Sequence, residues 1–192
     1  MFLLSRSALI AGAAAVFFAA APGARAAEIS IDPNHTTTHF AVKHLLISTV
    51  EGTIPVKSVT LTIDADKIPT AVTAVMDLTK IDTHNDQRDS DLRSAKFFDV
   101  QQFPEMTFKS TKITASGTNF VMNGDLTFHG VARPITVNGT LNGTITDSRG
   151  RTHVGYTATA TIDRTLWGVG PGYPQAVVAD AVNITIEAEA IL

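Results

Sequence analysis

The chain has 192 residues, a formal net charge of −3 and no cysteine, which excludes a disulfide framework, a thiolate nucleophile and a cysteine-linked lipid anchor. Hydrophobic residues make up 44% and charged residues 17% of it. That balance suits one packed domain and leaves neither a basic footprint for nucleic acid nor a polybasic patch for anionic lipid.

The first residues read M-F-L-L-S-R-S, then run apolar from Ala8 to Ala21 and reach Ala24-Arg25-Ala26. One positive charge, an apolar core and a small-x-small site predict a secretory signal peptide over residues 1–26. The apolar run is short for a membrane span and is broken by Pro22-Gly23, which counts against an N-terminal anchor. Cleavage after Ala26 would leave residues 27–192 as one domain in a periplasm and, with Arg6 and Arg25 gone, take the charge from −3 to −5.

Strands are predicted near 35–43, 50–63 (bent near Pro55), 70–79, 104–114, 118–129, 134–147, 151–163 and 178–191, linked by short turns such as Ala115-Ser116-Gly117 and Ser148-Arg149-Gly150. The alternation is clearest at 134–146. Ile135, Val137, Gly139, Leu141, Gly143 and Ile145 take one parity, and Thr136, Asn138, Thr140, Asn142, Thr144 and Thr146 the other. The same pattern puts Phe120, Met122, Gly124, Leu126 and Phe128 on one wall, then Tyr156, Ala158 and Ala160, then Ile184, Ile186 and Ala188. Glycine and alanine recur on that apolar wall. Either the small residues fill the taper of a small barrel, or they leave room for a guest, with Gly139 and Gly143 as the clearest vacancies. Eight hairpin-linked strands, several longer than ten residues, predict an all-β, eight-stranded antiparallel barrel or sandwich with a wall on the order of 35 Å tall.

Residues 83–103 lose the period of two. Asn85 or Asp86 can cap a short helix running to about Ser94, with Leu92 to dock it and Phe97, Phe98 and Phe103 following. A short helix with an aromatic plug reads as a helix-and-loop cap at a barrel mouth, gating or inert.

Catalytic and metal motifs are weak. His35, His39 and His44 are close in sequence, but on a strand His35 and His39 stand about 13 Å apart, too far to share an ion. His84, His129 and His153 are scattered, so no metal is expected. There is no G-x-S-x-G elbow and no phosphate-binding glycine loop. The carboxylates Asp82, Asp86, Asp89, Asp91 and Asp99, interleaved with Arg88 and Arg93, read more readily as a solvated, ion-paired helix face than as an acid–base pair. No catalytic residue is assigned, and an enzyme is not expected. Arg164, ahead of the only tryptophan, Trp167, could close a barrel end or meet a ligand head group.

Beyond these readings the chain resembles the YceI-like family along the whole length after the leader. The matching pieces are Asp32-Pro33-x-His35-Thr36-x-x-x-Phe40-x-Val42-x-His44, then Gly52, then Ile81-x-Thr83-x-x-x-x-Arg88-Asp89-x-x-Leu92. Phe97-Phe98-Asp99, Phe103-Pro104-x-x-x-Phe108, Gly124-x-Leu126-Thr127-x-His129-Gly130-Val131, Pro134 and Ile162-x-Arg164-x-x-x-Gly168 follow in order. Two positions depart from the pattern: Asp91 stands where the family often has histidine, and Ile54 where an aromatic is usual. The resemblance implies a lipocalin-like barrel holding a long-chain lipid, such as a polyisoprenoid, an isoprenoid quinone or a fatty-acid derivative.

The resulting expectation is a periplasmic binding, transport or storage protein. Its pore wall would include Phe40, Val42, Met76, Phe120, Met122, Leu126, Val137, Gly139, Leu141, Gly143, Tyr156 and Ile186. Its mouth, near the lipid head group, would include His44, Arg88, Phe97, Phe98, Arg164 and Trp167. No cofactor is expected other than the bound isoprenoid or fatty lipid. Expected partners are that lipid and, transiently, a membrane; a homodimer is left open and nucleic acid is not expected. The competing readings are a small outer-membrane β-barrel and a barrel-fold isomerase or hydrolase acting on an apolar substrate with Asp89 or His44 as base.

Overall fold

The structure, a computed structural model, describes residues 28–192; the predicted signal peptide lies outside them. Among the described residues are one short α-helix, three 3-10 turns and ten strands: β1 (Glu28–Ser30), β2 (Thr37–His44), β3 (Ser48–Thr53), β4 (Val56–Ile63), β5 (Pro69–Asp77), α1 (Asp86–Arg93), β6 (Glu105–Ser116), β7 (Asn119–Phe128), β8 (Val131–Thr146), β9 (Thr152–Asp163) and β10 (Val178–Ile191). All ten form one antiparallel sheet in the order β1-β4-β5-β6-β7-β8-β9-β10-β2-β3. The all-β antiparallel class is therefore as the sequence indicates, with two strands more than the eight expected. One is the short β1. The other arises because the 50–63 segment is two strands and not one bent one: Pro55, which has no N–H to give a ladder, lies where the chain leaves the β2–β3 side of the sheet and joins β5.

That crossing curls the sheet. Ile54 N–H reaches the Thr38 carbonyl at 3.1 Å, and Asp77 N–H reaches the Pro55 carbonyl at 2.9 Å. The seam is joined by a bridge from Ile31 to Ala190 and by Asp32 N–H on the Glu189 carbonyl at 2.9 Å. The outward face is a polar ladder: Thr136 donates to Asn123, Thr140 to Asn119, Thr161 to Asn183 and Asn142 to Thr157, all at 2.9–3.0 Å. A lipid-spanning barrel needs the reverse, an apolar outside, so the outer-membrane reading fails on this wall.

The helix forms where the sequence places it. The Asn85 side chain accepts the Arg88 N–H at 2.9 Å, capping the first turn. Buried Asp89 then ties the helix to the preceding loop by accepting the Thr83 N–H at 3.0 Å and the Thr83 hydroxyl.

Candidate functional site

The sheet encloses two apolar chambers that share Thr38, Met106 and Ile184. The larger holds about 950 Å³ of space not occupied by atoms and the smaller about 670 Å³, part of each open to solvent. The larger is walled by inward side chains of β2, β4 to β10 and the seam residue Ile31; its polar members are Thr36 and Thr38. The smaller lies under the helix-and-loop cap, lined by Leu92, Phe97, Phe98, Phe128 and Val169 among others, with Arg164 at its edge. Phe98 meets Phe128 edge-on at 5.1 Å between centroids, and Phe97 stacks on Tyr173 at 4.8 Å. The cap is thus an aromatic lid packed onto the barrel.

The structure brings most of the expected wall together. Met76, Phe120, Met122, Leu126, Val137, Tyr156 and Ile186 line the larger chamber, and Phe40 and Val42 the smaller. Leu141 packs half-buried against the core without lining either. The two glycines do something else. At Gly139 a Cβ would stand 2.1 Å from the Phe120 ring, so the missing side chain seats an aromatic and leaves no room for a guest. Gly124 seats Phe108 and Gly52 seats Phe40 in the same manner. Gly143 is outside the chamber altogether. Two residues of β8, Leu141 and Gly143, are separated by one register step on β9, from Tyr156 to Gly155, so Asn142 is a bulge and the parity flips beyond it. Ile145, expected on the inner wall, is accordingly 71% exposed.

The mouth residues divide similarly. Phe97 and Phe98 face the smaller chamber. Arg164 is buried, and its guanidinium donates to the carbonyls of Ala179, Val169, Gly170, Tyr173 and Val178 at 2.7–3.0 Å and to Asp180 at 3.2 Å. With its donors taken by the 169–180 segment, it locks that loop and has none to spare for a head group. Arg88 is likewise engaged, donating to the Thr83 hydroxyl at 2.8 Å and carbonyl at 2.7 Å. Trp167 is buried with its indole N–H on the Leu126 carbonyl at 3.1 Å and lines neither chamber. His44 ends β2 opposite Val178. Of the two departures from the family pattern, Ile54 lines the smaller chamber and Asp91 is exposed on the helix.

At the other end, Tyr156 donates its hydroxyl across the barrel to the Lys67 carbonyl at 2.7 Å, and burial pushes its pKa up to about 12. Close by, His153 bridges Glu189 at 2.7 Å and Asp147 at 3.2 Å. Those two bonds, Glu189's first, raise the His153 pKa; the Arg151 N–H and then the imidazole hold Asp147 well below the usual carboxylate range. Among the described residues no three His, Asp or Glu side chains converge as a metal site requires.

The expected pore wall omits Met106 and Phe108 of β6 and the waist residues Thr38 and Ile184, although the alternation puts Ile184 on the apolar wall. The signal was present in M-T-F-K, residues 106–109, where apolar and polar residues alternate within a strand whose inward face had not been read.

Residues 30–190 match the YceI-like domain family model. The chain is similar to a UPF0312 protein of Vibrio parahaemolyticus, 33% identical over 162 residues that cover 82% of this chain and 86% of that one. Among solved structures it superposes on Burkholderia cenocepacia BcnA with a TM-score of 0.73 at 21% identity, covering 83% of this chain and 99% of that one. A polyisoprenoid binding domain from Saccharophagus degradans, implicated in plant cell wall breakdown, superposes with a TM-score of 0.59 at 14% identity, covering 86% and 98%.

Proposed function

The chain belongs to the YceI-like family, and on that premise we propose that it binds a long apolar chain, a polyisoprenoid, isoprenoid quinone or fatty-acid derivative, as an exported carrier or store. The observation that carries this is the pair of adjoining apolar chambers, which share Thr38, Met106 and Ile184 as a common wall. At about 25 cal/mol per Å² of apolar area removed from water, a chain seated in them is held without any charged contact. Met76, Met106 and Met122 in the wall suit a guest of variable shape. The description of the S. degradans domain as polyisoprenoid-binding supports the same class of guest.

The engagement of Arg164 and Arg88 sharpens the proposal. Arg164's donors are taken by the loop it locks, and Arg88 holds Thr83 and lines neither chamber, so the chambers offer a carboxylate or phosphate no free guanidinium. A neutral chain is favoured over an ionised fatty acid, and a charged head would remain in water. Of the two bases that a hydrolase or isomerase reading would use, Asp89 or His44, Asp89 is committed to Thr83. We infer a binding protein without catalysis.

Organic extraction of the purified protein followed by mass spectrometry should yield a long neutral lipid. The delipidated protein should take up an offered polyprenol in preference to a fatty acid of equal length. An empty extract together with no uptake of either would overturn the proposal.

A further inference from the structure

The turn between β2 and β3 is built against two ordinary preferences. Its residues, Leu45, Leu46 and Ile47, are 50%, 66% and 84% exposed. Leu45 and Leu46 both have positive φ, 52° and 60°, a conformation that hairpins normally give to Asn or Gly. Two other hairpin tips here follow the rule: Gly117 between β6 and β7 and Gly150 between β8 and β9 take the positive φ, at 61° and 80°. The strained apolar tip is not a by-product of packing, because these side chains point away from the core.

We propose that this tip is a membrane-docking element that inserts Leu45, Leu46 and Ile47 into the interfacial layer of a phospholipid bilayer. Three observations select that occupant. The tip stands on the rim of the smaller chamber: Val42 and Val178 line it, His44 pairs with Val178, and Leu45 N–H reaches the Val177 carbonyl at 2.9 Å. Its root carries Lys43 and His44, while residues 43–48, K-H-L-L-I-S, contain no acid, so the segment meets a phosphate layer with favourable charge. Three aliphatic side chains also offer well under the ~800 Å² that each partner contributes to a stable protein dimer. A bilayer demands no such complementary patch, and a wedge reaching ~5–10 Å into the headgroup layer suffices. Exposed Leu166 and Val131 lie at the same end of the barrel and would extend the contact. Because the acidic helix α1, with exposed Asp86 and Asp91, is also at this end, aliphatic burial and not charge sets the binding.

The chain has no cysteine, so a single one introduced as Ile47→Cys in the full chain and labelled with an environment-sensitive fluorophore reports on the tip alone. Vesicles of phosphatidylethanolamine and phosphatidylglycerol should shift its emission to the blue, doxyl-labelled acyl chains should quench it, and high salt should leave the effect largely intact. A label at Ser148→Cys, on the opposite end, should not respond. Leu45→Asn with Leu46→Gly relaxes the turn and should weaken vesicle partitioning, read by the label at position 47, by about tenfold or more while preserving the thermal midpoint. Should that pair fail to fold, Leu46→Lys alone should cause the same loss. A label at 47 that stays in water while the protein floats with vesicles overturns the proposal. So does a blue shift that depends on protein concentration without lipid, which would assign the tip to a second copy of the chain. None of these readouts depends on what the chambers hold, so failure here leaves the cargo proposal standing, and an empty extract leaves this one standing.

Discussion

The two ends of the barrel are each tied by a cationic side chain, and the two ties are of opposite character. At the capped end the Arg164 side chain is 4% exposed and its donors go mainly to backbone carbonyls. At the other end His153 sits 20% exposed between two carboxylates, Asp147 and Glu189, that are themselves 23% and 32% exposed. A guanidinium sunk among carbonyls cannot be traded for water without orphaning several of them, so it fixes the 164–180 loop as the lid's frame. An imidazole held between carboxylates at the surface is screened by salt and by solvent, and its strength follows its protonation. The lid end is set by geometry, the far end by pH.

The sharpest way to break this contrast is Arg164→Met. It removes the buried guanidinium and its bonds to five carbonyls, of which Gly170's keeps the Tyr173 N–H, and we expect a loss of about 3–5 kcal/mol. Urea unfolding followed through Trp167, the single tryptophan, which packs in the same segment, measures it. Arg164→Lys keeps the charge but has three donors in place of five and should recover only part of the loss. If both variants unfold within about 1 kcal/mol of the parent, the loop is not held by this network.

A second test asks whether the chamber wall is as rigid toward the far end. Gly139→Leu forces a Cβ into the space held by the Phe120 ring, so it should cost about 1–3 kcal/mol and push that ring into the larger chamber, reducing lipid uptake. Adding Phe120→Ala should recover part of the stability. Gly143→Leu has no neighbour within 4 Å of its Cβ and carries only the strain of φ 151°, about 1 kcal/mol, with uptake unchanged. Equal effects on uptake at the two positions would return both glycines to the ligand's space.

These glycines also show where the sequence stops being legible. The strands, the Asn85 cap, the split of polar and apolar faces and the aromatic cluster after α1 were all written in local pattern. Each depends on a residue and its near neighbours, as the period of two and the first-turn N–H groups do. What Gly139 and Gly143 do depends on residues elsewhere: a ring on β7 in one case and a bulge against β9 in the other. The family resemblance places Arg164 correctly in order, but the number of its carbonyl partners depends on how the residues after it turn back over it. The division of 50–63 at Pro55 required knowing that the chain there changes neighbours. Local alternation cannot report that, because both halves alternate.

The smallest effect is at the far end and is the most diagnostic of the contrast. His153 has a folded pKa raised above its ordinary 6.5, chiefly by the Glu189 carboxylate and then by Asp147. A group that binds its proton more tightly when folded contributes its full stabilisation below the unfolded pKa and loses it as pH rises through the folded value. Stability should therefore fall as pH rises upward from about the ordinary 6.5 in the parent. His153→Asn should flatten that slope. Asp147 does not blur the reading. Its depressed pKa gives stability that is present above its ordinary 3.8 and is lost only in strong acid. His35, raised by Asp32 and 63% exposed, titrates in the same direction, so His35→Asn serves as the control. If thermal midpoints across this range fall equally with and without His153, the far end is no more responsive to pH than the lid. If they flatten at His153 while Arg164→Met shifts stability by the same amount at every pH, the two ends are held as differently as their geometry implies.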